Sequence, residues 1–380
     1  MLQTLSVSFH LTHDCNLRCG YCYTGTKTHA PMSQETAEAG LALVEKLALE
    51  QGIPNVEIIF FGGEPLMEKD LIFFILEKCR ESSSGLHFSF KMSTNGTLLT
   101  EPLMRDLLRN EVFVSLSLDG DPETHDEQRP NCGGHSSYRM VERAIPILLK
   151  YIPCANVTCV TTPASAHRLA ENVDWIFKKG FRYITTTLDY TADWTPSDMK
   201  ALEKSYILLG RWYEEKMRRH ERFYLSSFDE RIRTHTRPPL QATERCVAGT
   251  RQLAIAPNGE IYPCITFVTT ERLPQFLLGH VSDGLDDACR LYFHRCSESE
   301  KAECAGCTLK SRCSSWCACI NFMSTGTVTE ASPIVCHQEQ VLLPIVDEVA
   351  KRLWRRRNRL FMHKHYNDLY PVFEYLDINT

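Results

Sequence analysis

The sequence predicts an α/β protein: a partial (β/α)6 barrel, then a small cysteine-rich module and a C-terminal helical tail. Three observations carry this expectation. The first half alternates short β-type runs with helical stretches six times, which implies a parallel sheet with right-handed crossovers curled toward a barrel. From about residue 244 the texture changes to short Gly- and Cys-rich pieces, which bury too little apolar area to hold together unaided. The chain has 17 cysteines, concentrated at 15–22 and 304–319, with others at 246, 264, 289, 296 and 336.

In order, LSVSFHLT (5–12) reads as a strand and 34–49 as a helix with one apolar face. VEIIFF (56–61) is a buried strand, followed by a helix near 68–82. HFSFKMS (87–93) alternates as a strand should, and a helix covers about 100–109. VFVSLSL (112–118), a helix at 137–150, NVTCVTT (156–162), a helix at 166–179 and RYITTTL (182–188) complete the series. Residues 196–220 form a long helix, 221–243 a connector ending in RPP, and 338–357 a helix after Cys336. The expected divisions are 1–195 (barrel), 196–243 (linker helix and connector), 244–340 (cysteine-rich module) and 341–380 (helix and tail). The aromatic run FMHKHYNDLYPVFEYLD (361–377) reads either as core or lid packing or as a substrate-contacting lid, with His363 and His365 as exposed tail residues.

At 380 residues, 43% apolar and 23% charged, the chain has the composition of a soluble globular protein. A net charge of −5 gives no support for a nucleic-acid partner, and the run Arg352, Arg355, Arg356, Arg357 and Arg359 reads as a solvated helix face. No apolar run approaches membrane-spanning length, and the start lacks a basic and apolar export signal. The expectation is a cytoplasmic protein without membrane contacts, in which clustered cysteines serve metal or redox chemistry. Cys79, Cys154 and Cys159 read as ordinary small, partly buried residues.

The unusual motifs fall at equivalent places. Cys15–Cys22 follows the first strand, FGGEP (61–65) the second, STNG (93–96) the third and SLDG (117–120) the fourth. All lie at the C-terminal ends of parallel strands, where the loops of a β/α barrel converge on a site. Cys15, Cys19 and Cys22, spaced C-x3-C-x2-C, offer three corners for a cubane iron–sulfur cluster and leave a fourth iron open. A zinc loop is the bland alternative, although the spacing is not that of a zinc finger. Gly62 and Gly63 permit close approach of a ligand, and Glu64 can pair with a cationic amine. Ser93, Asn95, Ser117 and Asp119 suit a ribose. An amine and a ribose beside an open iron point to S-adenosylmethionine (SAM).

C-x3-C-x2-C, with Tyr21 before the last cysteine, and then GGEP resemble the radical SAM superfamily; SLDG…HDEQRP (117–130) resembles its peptide-modifying maturases. The resemblance implies a partial radical SAM barrel with a [4Fe–4S] cluster at Cys15, Cys19 and Cys22. It implies that Gly62, Gly63, Glu64 and Pro65 bind the SAM amine, and that Ser117, with Ser93 or Asn95, contacts the ribose. Cys246-x12-Gly259-x4-Cys264, Cys304-x2-Cys307-x5-Cys313-x3-Cys317 and Cys336 resemble the SPASM domain that follows the barrel in such enzymes. That pattern assigns Cys304, Cys307, Cys313 and Cys336 to an outer auxiliary [4Fe–4S] cluster, and Cys246, Cys264 and Cys317 to an inner one. Where fully ligated relatives have a further cysteine about six residues before the first of these, this chain has Leu240. Three explanations stay open for the inner site. The first draws another ligand from Cys289, Cys296, Cys319, His280 and His294; the second leaves the iron open to water or a substrate thiolate; the third makes the cluster a [2Fe–2S] or absent.

The expected reaction is hydrogen abstraction from a ribosomally synthesised peptide, followed by C–C or C–S bond formation. Anaerobic sulfatase-maturing enzymes resemble the chain in length, but the basic Asp that directly follows their second SPASM cysteine is Ile265 here, and an isoleucine cannot accept a proton. Sulfatase-type oxidation of a Cys or Ser is therefore the lesser expectation. A small-molecule substrate, or a non-catalytic iron–sulfur or zinc redox sensor, are further alternatives. Fourteen residues precede Cys15, too few for a winged-helix recognition domain, so a separate leader-recognition protein, the tail or the cleft itself would read the precursor. The remaining partner is a one-electron donor of flavodoxin or ferredoxin type.

Overall fold

The structure, a computed structural model, describes residues 3–237 and 247–367. Its first strand, β1 (Thr4–His10), sends Leu5, Val7 and Phe9 to one face, fully buried, and Ser6, Ser8 and His10 to the other. Phe9 packs beneath Gly40 of α1 (Gln34–Glu50), where a Cβ would come within 3.0 Å of the ring. The helix starts where the Ser33 hydroxyl accepts a hydrogen bond from the Thr36 amide at 3.1 Å. The alternation continues through β2 (Asn55–Phe61), α2 (Lys69–Glu81), β3 (His87–Thr94), α3 (Glu101–Arg109) and β4 (Val112–Ser117). A short α4 (Pro122–Gln128), then α5 (Tyr138–Tyr151), β5 (Asn156–Thr161), α6 (Leu169–Lys178) and β6 (Tyr183–Leu188) follow. This is the β-α series of a partial barrel that the hydrophobic pattern predicts.

The described residues pack as two compact units: 3–115, 129–147 and 247–299 in one, and 116–128, 148–237 and 300–367 in the other. In the first, β2 pairs in parallel with both β1 and β3, placing His10 opposite Phe61. The other edge of β1 is covered by β8 (Gln252–Ile255), also parallel, with Ser6 opposite Gln252. Antiparallel β9 (Glu260–Tyr262), β10 (Gly279–His280) and β11 (Gly284–Leu285) extend it, and α9 (Asp287–Glu298) ends this unit's share of the cysteine-rich module.

In the second unit the end of β4 pairs with β5, β5 with β6, and β6 with β7 (Tyr224–Leu225), all parallel. Around them lie α7 (Pro196–Arg218), α8 (Ser226–Thr236), α10 (Ala318–Thr325), α11 (Pro333–Arg355) and α12 (Arg359–Tyr366). Tyr206, Tyr213, Phe223 and Phe228 fill the core, each at most 2% exposed. Buried aromatic area of this size dominates local stability, at roughly 3–5 kcal/mol per ring on truncation to alanine.

Several expectations change. The supposed connector after residue 220 contains β7 and α8, whose inward face carries the charged Asp229 rather than a simple apolar stripe. α11 starts at Pro333, because Ser332 caps the Val335 amide at 3.3 Å and Pro333 suits the first turn, so Cys336 lies inside the helix. His365 is buried, its Nε2 3.0 Å from the Tyr213 hydroxyl and 3.3 Å from Asp229, not part of an exposed tail. Leu240, Cys246 and the end of the aromatic run lie outside the described residues. No helix among the described residues is long and apolar enough to cross a membrane.

Candidate functional site

The loop after β1 is pinned to the end of β2 through backbone bonds from Leu11 to Phe61, Gly63 to Thr12 and Glu64 to Asp14, at 2.9, 2.7 and 2.9 Å. The two glycines make this possible. A Cβ on Gly63 would stand 2.0 Å from the Asp14 carbonyl oxygen, and one on Gly62, whose φ is +146°, 2.6 Å from that of Thr12. Close approach is therefore required, but by the cysteine loop itself.

Each thiol on this loop faces N–H donors. Cys15 Sγ accepts from the Leu17 amide at 3.4 Å and from Asn95 Nδ2 at 3.9 Å. Arg129 Nη1 is 3.9 Å from Cys19 Sγ, and Lys27 Nζ donates to Cys22 Sγ at 2.9 Å. Burial pushes the Cys15 thiol up to about 11. Burial also raises Cys22, but hydrogen bonds from Lys27 and Thr24 outweigh it and hold that thiol below its ordinary value. Donors aimed at three sulfurs suit thiolates bound to a cationic centre. Among the described residues no three His, Cys, Asp or Glu side chains converge on a single metal ion. A cubane places each thiolate on a different iron, so ligands with separate donors fit it.

Glu64 is fully buried. Its Oε1 accepts from Thr94 Oγ1 at 2.7 Å and the Leu66 amide at 3.1 Å, and its Oε2 from the Asn95 amide at 2.8 Å. Burial raises its pKa in spite of these bonds. A carboxylate has roughly four acceptor directions, so about one remains for an amine. Asn95 in turn donates to Asn16 Oδ1 at 2.8 Å, and the half-buried Ser93 stands two residues before it. Pro65 opens the 3-10 turn Pro65–Glu68 that aims Glu64 inward. Tyr21 lies under the Arg129 guanidinium, 5.2 Å from ring centre to Cζ.

Four participants escaped the sequence reading. Thr94 and Arg129 lie inside the STNG and HDEQRP motifs, but their contacts, like those of Lys27, show only once the loop is folded. The fourth, His10, is fully buried, and neither of its ring nitrogens has a hydrogen-bond partner among the described residues. Its ring sits 4.6 Å from that of His13, and burial, then the charges of His13 and Lys27, hold it well below its ordinary pKa.

Ser117 and Asp119 belong to the second unit. There Ser117 pairs with Thr158, and Asp119, fully buried, accepts from the Val160 amide at 2.9 Å, pinning β5. The same unit holds Cys304, Cys307, Cys313, Cys317 and Cys336. Burial, then the charges of Cys304, Cys307, Glu303 and Glu339, raise the Cys336 thiol; burial and Glu339 push Cys313 up to about 11, with Cys336 adding to it. Cys313 and Cys336, each raised in part by neighbouring thiols, belong to a donor set that a cationic cluster would relieve. Cys264 lies in the first unit, with Gln252 Nε2 3.5 Å from its sulfur. Of its candidate co-ligands, His280 has both ring nitrogens engaged, with Ser282 at 2.7 Å and Asn258 at 2.8 Å, while Cys289 is exposed on α9. Ile265 follows Cys264 at the start of a 3-10 turn.

A parallel β-α series with a donor-ringed cysteine loop at the end of its first strand, locked against a buried carboxylate, makes a candidate iron–sulfur site on an α/β protein. Residues 9–176 match the radical SAM superfamily, so the chain carries a radical SAM domain and is an enzyme. It is 27% identical over 289 residues to the cysteine-type anaerobic sulfatase-maturating enzyme of Clostridium perfringens strain 13, covering 71% of this chain and 75% of that one. With the serine-type enzyme of Klebsiella aerogenes it shares 24% identity over 323 residues, covering 80% and 76%. In fold it matches anSMEcpe with bound AdoMet and Cp18Cys peptide, at a TM-score of 0.78 and 22% identity over 94% of this chain and all (100%) of that one. It also matches SuiB of Streptococcus suis bound to precursor peptide SuiA, at 0.58 and 17% over 88% and 76%.

Proposed function

We propose that the protein is a peptide maturase that generates a 5′-deoxyadenosyl radical, abstracts hydrogen from a ribosomally synthesised peptide and closes a C–C or C–S (thioether) crosslink. The observation that carries this reading is the loop of Cys15, Cys19 and Cys22, with a donor at each thiol and Gly62, Gly63 and Glu64 behind it. Cys15, Cys19 and Cys22 would hold a [4Fe–4S] cluster, which would supply the electron for cleaving SAM to methionine and the radical. The chain's own residues bind and orient. Glu64 offers its remaining acceptor direction to the SAM amine, and Ser93, Asn95, Ser117 and Asp119 supply the polar groups for the ribose. Cys304, Cys307, Cys313 and Cys336 hold an outer auxiliary cluster; Cys246, Cys264 and Cys317 hold an inner one, open or completed by a further ligand. Closing a crosslink releases a second electron, and auxiliary clusters suit its removal. The exposed thiols Cys132 and Cys289 call for a reducing compartment, consistent with the cytoplasm. A flavodoxin or ferredoxin type donor would supply the first electron.

A second reading has its own support. The identity to sulfatase-maturating relatives favours oxidation of a protein Cys or Ser, whereas Ile265, in place of a carboxylate after Cys264, favours crosslinking. Anaerobically reconstituted enzyme with SAM and dithionite should be given two substrates: a short peptide encoded beside its gene, and a cysteine-containing sulfatase-type peptide. Mass spectra showing loss of two hydrogens from the first support crosslinking. An aldehyde on the second, with the first unchanged, would replace that reading with sulfatase-type maturation.

A further inference from the structure

In the second unit, Arg231 of α8 grips Glu339 of α11 with both arms of its guanidinium, Nε to Oε2 at 2.9 Å and Nη2 to Oε1 at 2.7 Å. The side chains are only 11% and 3% exposed. Burying two charges costs several kcal/mol of hydration, which even good pairing only about repays, so fold stability does not account for the pair. Its position does. Glu339 lies three residues, one helical turn, beyond Cys336 on α11. Ser314, the neighbour of Cys313, donates its hydroxyl to Glu339 Oε1 at 3.3 Å. The carboxylate thus lies one turn from Cys336 and bonds to the neighbour of Cys313. Arg231 is itself held within α8, where its Nη1 donates to the Ser227 carbonyl at 3.0 Å. The pair is therefore oriented, with its carboxylate on the helix of Cys336 and its guanidinium fixed to α8.

A fixed negative charge in a low-dielectric surrounding opposes the arrival of an electron nearby far more strongly than the same charge in water. Hydrogen bonds, net charge and burial around the ligands are the levers by which a protein sets a cluster's potential. We infer that Glu339, aimed by Arg231, is a positioning charge that holds the outer cluster's reduction potential low. The inference rests on the outer-cluster assignment to Cys304, Cys307, Cys313 and Cys336. Glu303 provides an internal comparison, since it adjoins Cys304 in the chain but is exposed, where water screens it.

The test is an EPR-monitored redox titration of the reconstituted full-length enzyme, with the outer-cluster signal identified as the one lost in Cys307→Ala. Glu339→Gln should favour the reduced outer cluster at least about tenfold at a fixed potential, a rise of about 59 mV for a one-electron couple. Glu303→Gln should shift the ratio less than about threefold, because its charge is screened. A purely structural role would lower melting temperature or iron content without moving the potential. Should Glu339→Gln lose iron, Arg231→Gln/Glu339→Gln, which leaves no unpaired buried charge, carries the test. An unmoved potential in an iron-replete variant overturns the inference alone. Wild-type enzyme with only about four irons per chain would overturn the outer-cluster assignment and the inference with it.

Discussion

Around Cys15, Cys19 and Cys22 the neighbours are N–H donors and cations: Leu17, Asn95, Arg129 and Lys27. Around Cys304, Cys307, Cys313 and Cys336 they are carboxylates and other thiols, with Glu303 and Glu339 nearest in effect. In the first setting donors hold the Cys22 thiol below its ordinary value, although burial raises Cys15; in the second, burial and carboxylates raise Cys313 and Cys336. Similar thiols are thus given different hydrogen-bonding and charged neighbours, the kind of difference that sets how easily a centre bound there would accept an electron.

The largest expected effect separates the two regions outright. Cys15→Ala/Cys19→Ala/Cys22→Ala should remove about four irons per chain and abolish dithionite-driven SAM cleavage. Cys304→Ala/Cys307→Ala should remove a similar amount of iron yet keep cleavage within about threefold. Iron analysis with chromatography of 5′-deoxyadenosine checks both, and equal loss of cleavage would break the contrast. Next is Gly63→Ala, whose Cβ would collide with the Asp14 carbonyl. It should cut SAM cleavage about a hundredfold while iron at the C-terminal cysteines persists, as seen by Mössbauer spectroscopy. Lys27→Met removes the donor at Cys22 and should cost about tenfold in cleavage rate, with Lys27→Arg recovering part of it. The smallest effect belongs to Arg129→Gln. Its 3.9 Å contact to Cys19 is long, and a loss of about two- to fivefold in the same assay corresponds to about 0.5–1 kcal/mol.

The barrel was legible because its strands are buried on one face and its helices carry one apolar stripe. Leu5, Val7 and Phe9 announce β1, and Val56, Ile58 and Phe60 announce β2. α8 was not legible, since it buries Asp229 against Lys364 and His365 and Arg231 against Glu339. Such pairs look like solvent-facing polarity in a sequence, and only the partner helices, more than a hundred residues away, make them interior. α9 was hidden for a related reason, because it leaves Leu291 and Tyr292 exposed. At the site, residue types and spacing pointed to the cysteine loop, GGEP and Asn95. They could not show that the glycines make room for the loop, or that Glu64 spends most of its hydrogen-bonding capacity on Thr94, Leu66 and Asn95. Those facts depend on which backbone meets which, and hydrophobic periodicity carries no record of it.

The pairing of β8 with β1 has a consequence for how the protein is made. Residue 6 finds its outer neighbour only at residue 252, and Thr24, just past the cysteine loop, receives the amide of Thr270 at 3.0 Å. At roughly 5–20 residues per second, a ribosome leaves that first strand edge uncovered for roughly ten seconds to a minute. An open parallel edge beside three unligated thiols is vulnerable both to mispairing and to premature oxidation. Cells producing this enzyme would gain most from slow, cool and strictly anaerobic expression, with iron–sulfur assembly following synthesis rather than accompanying it.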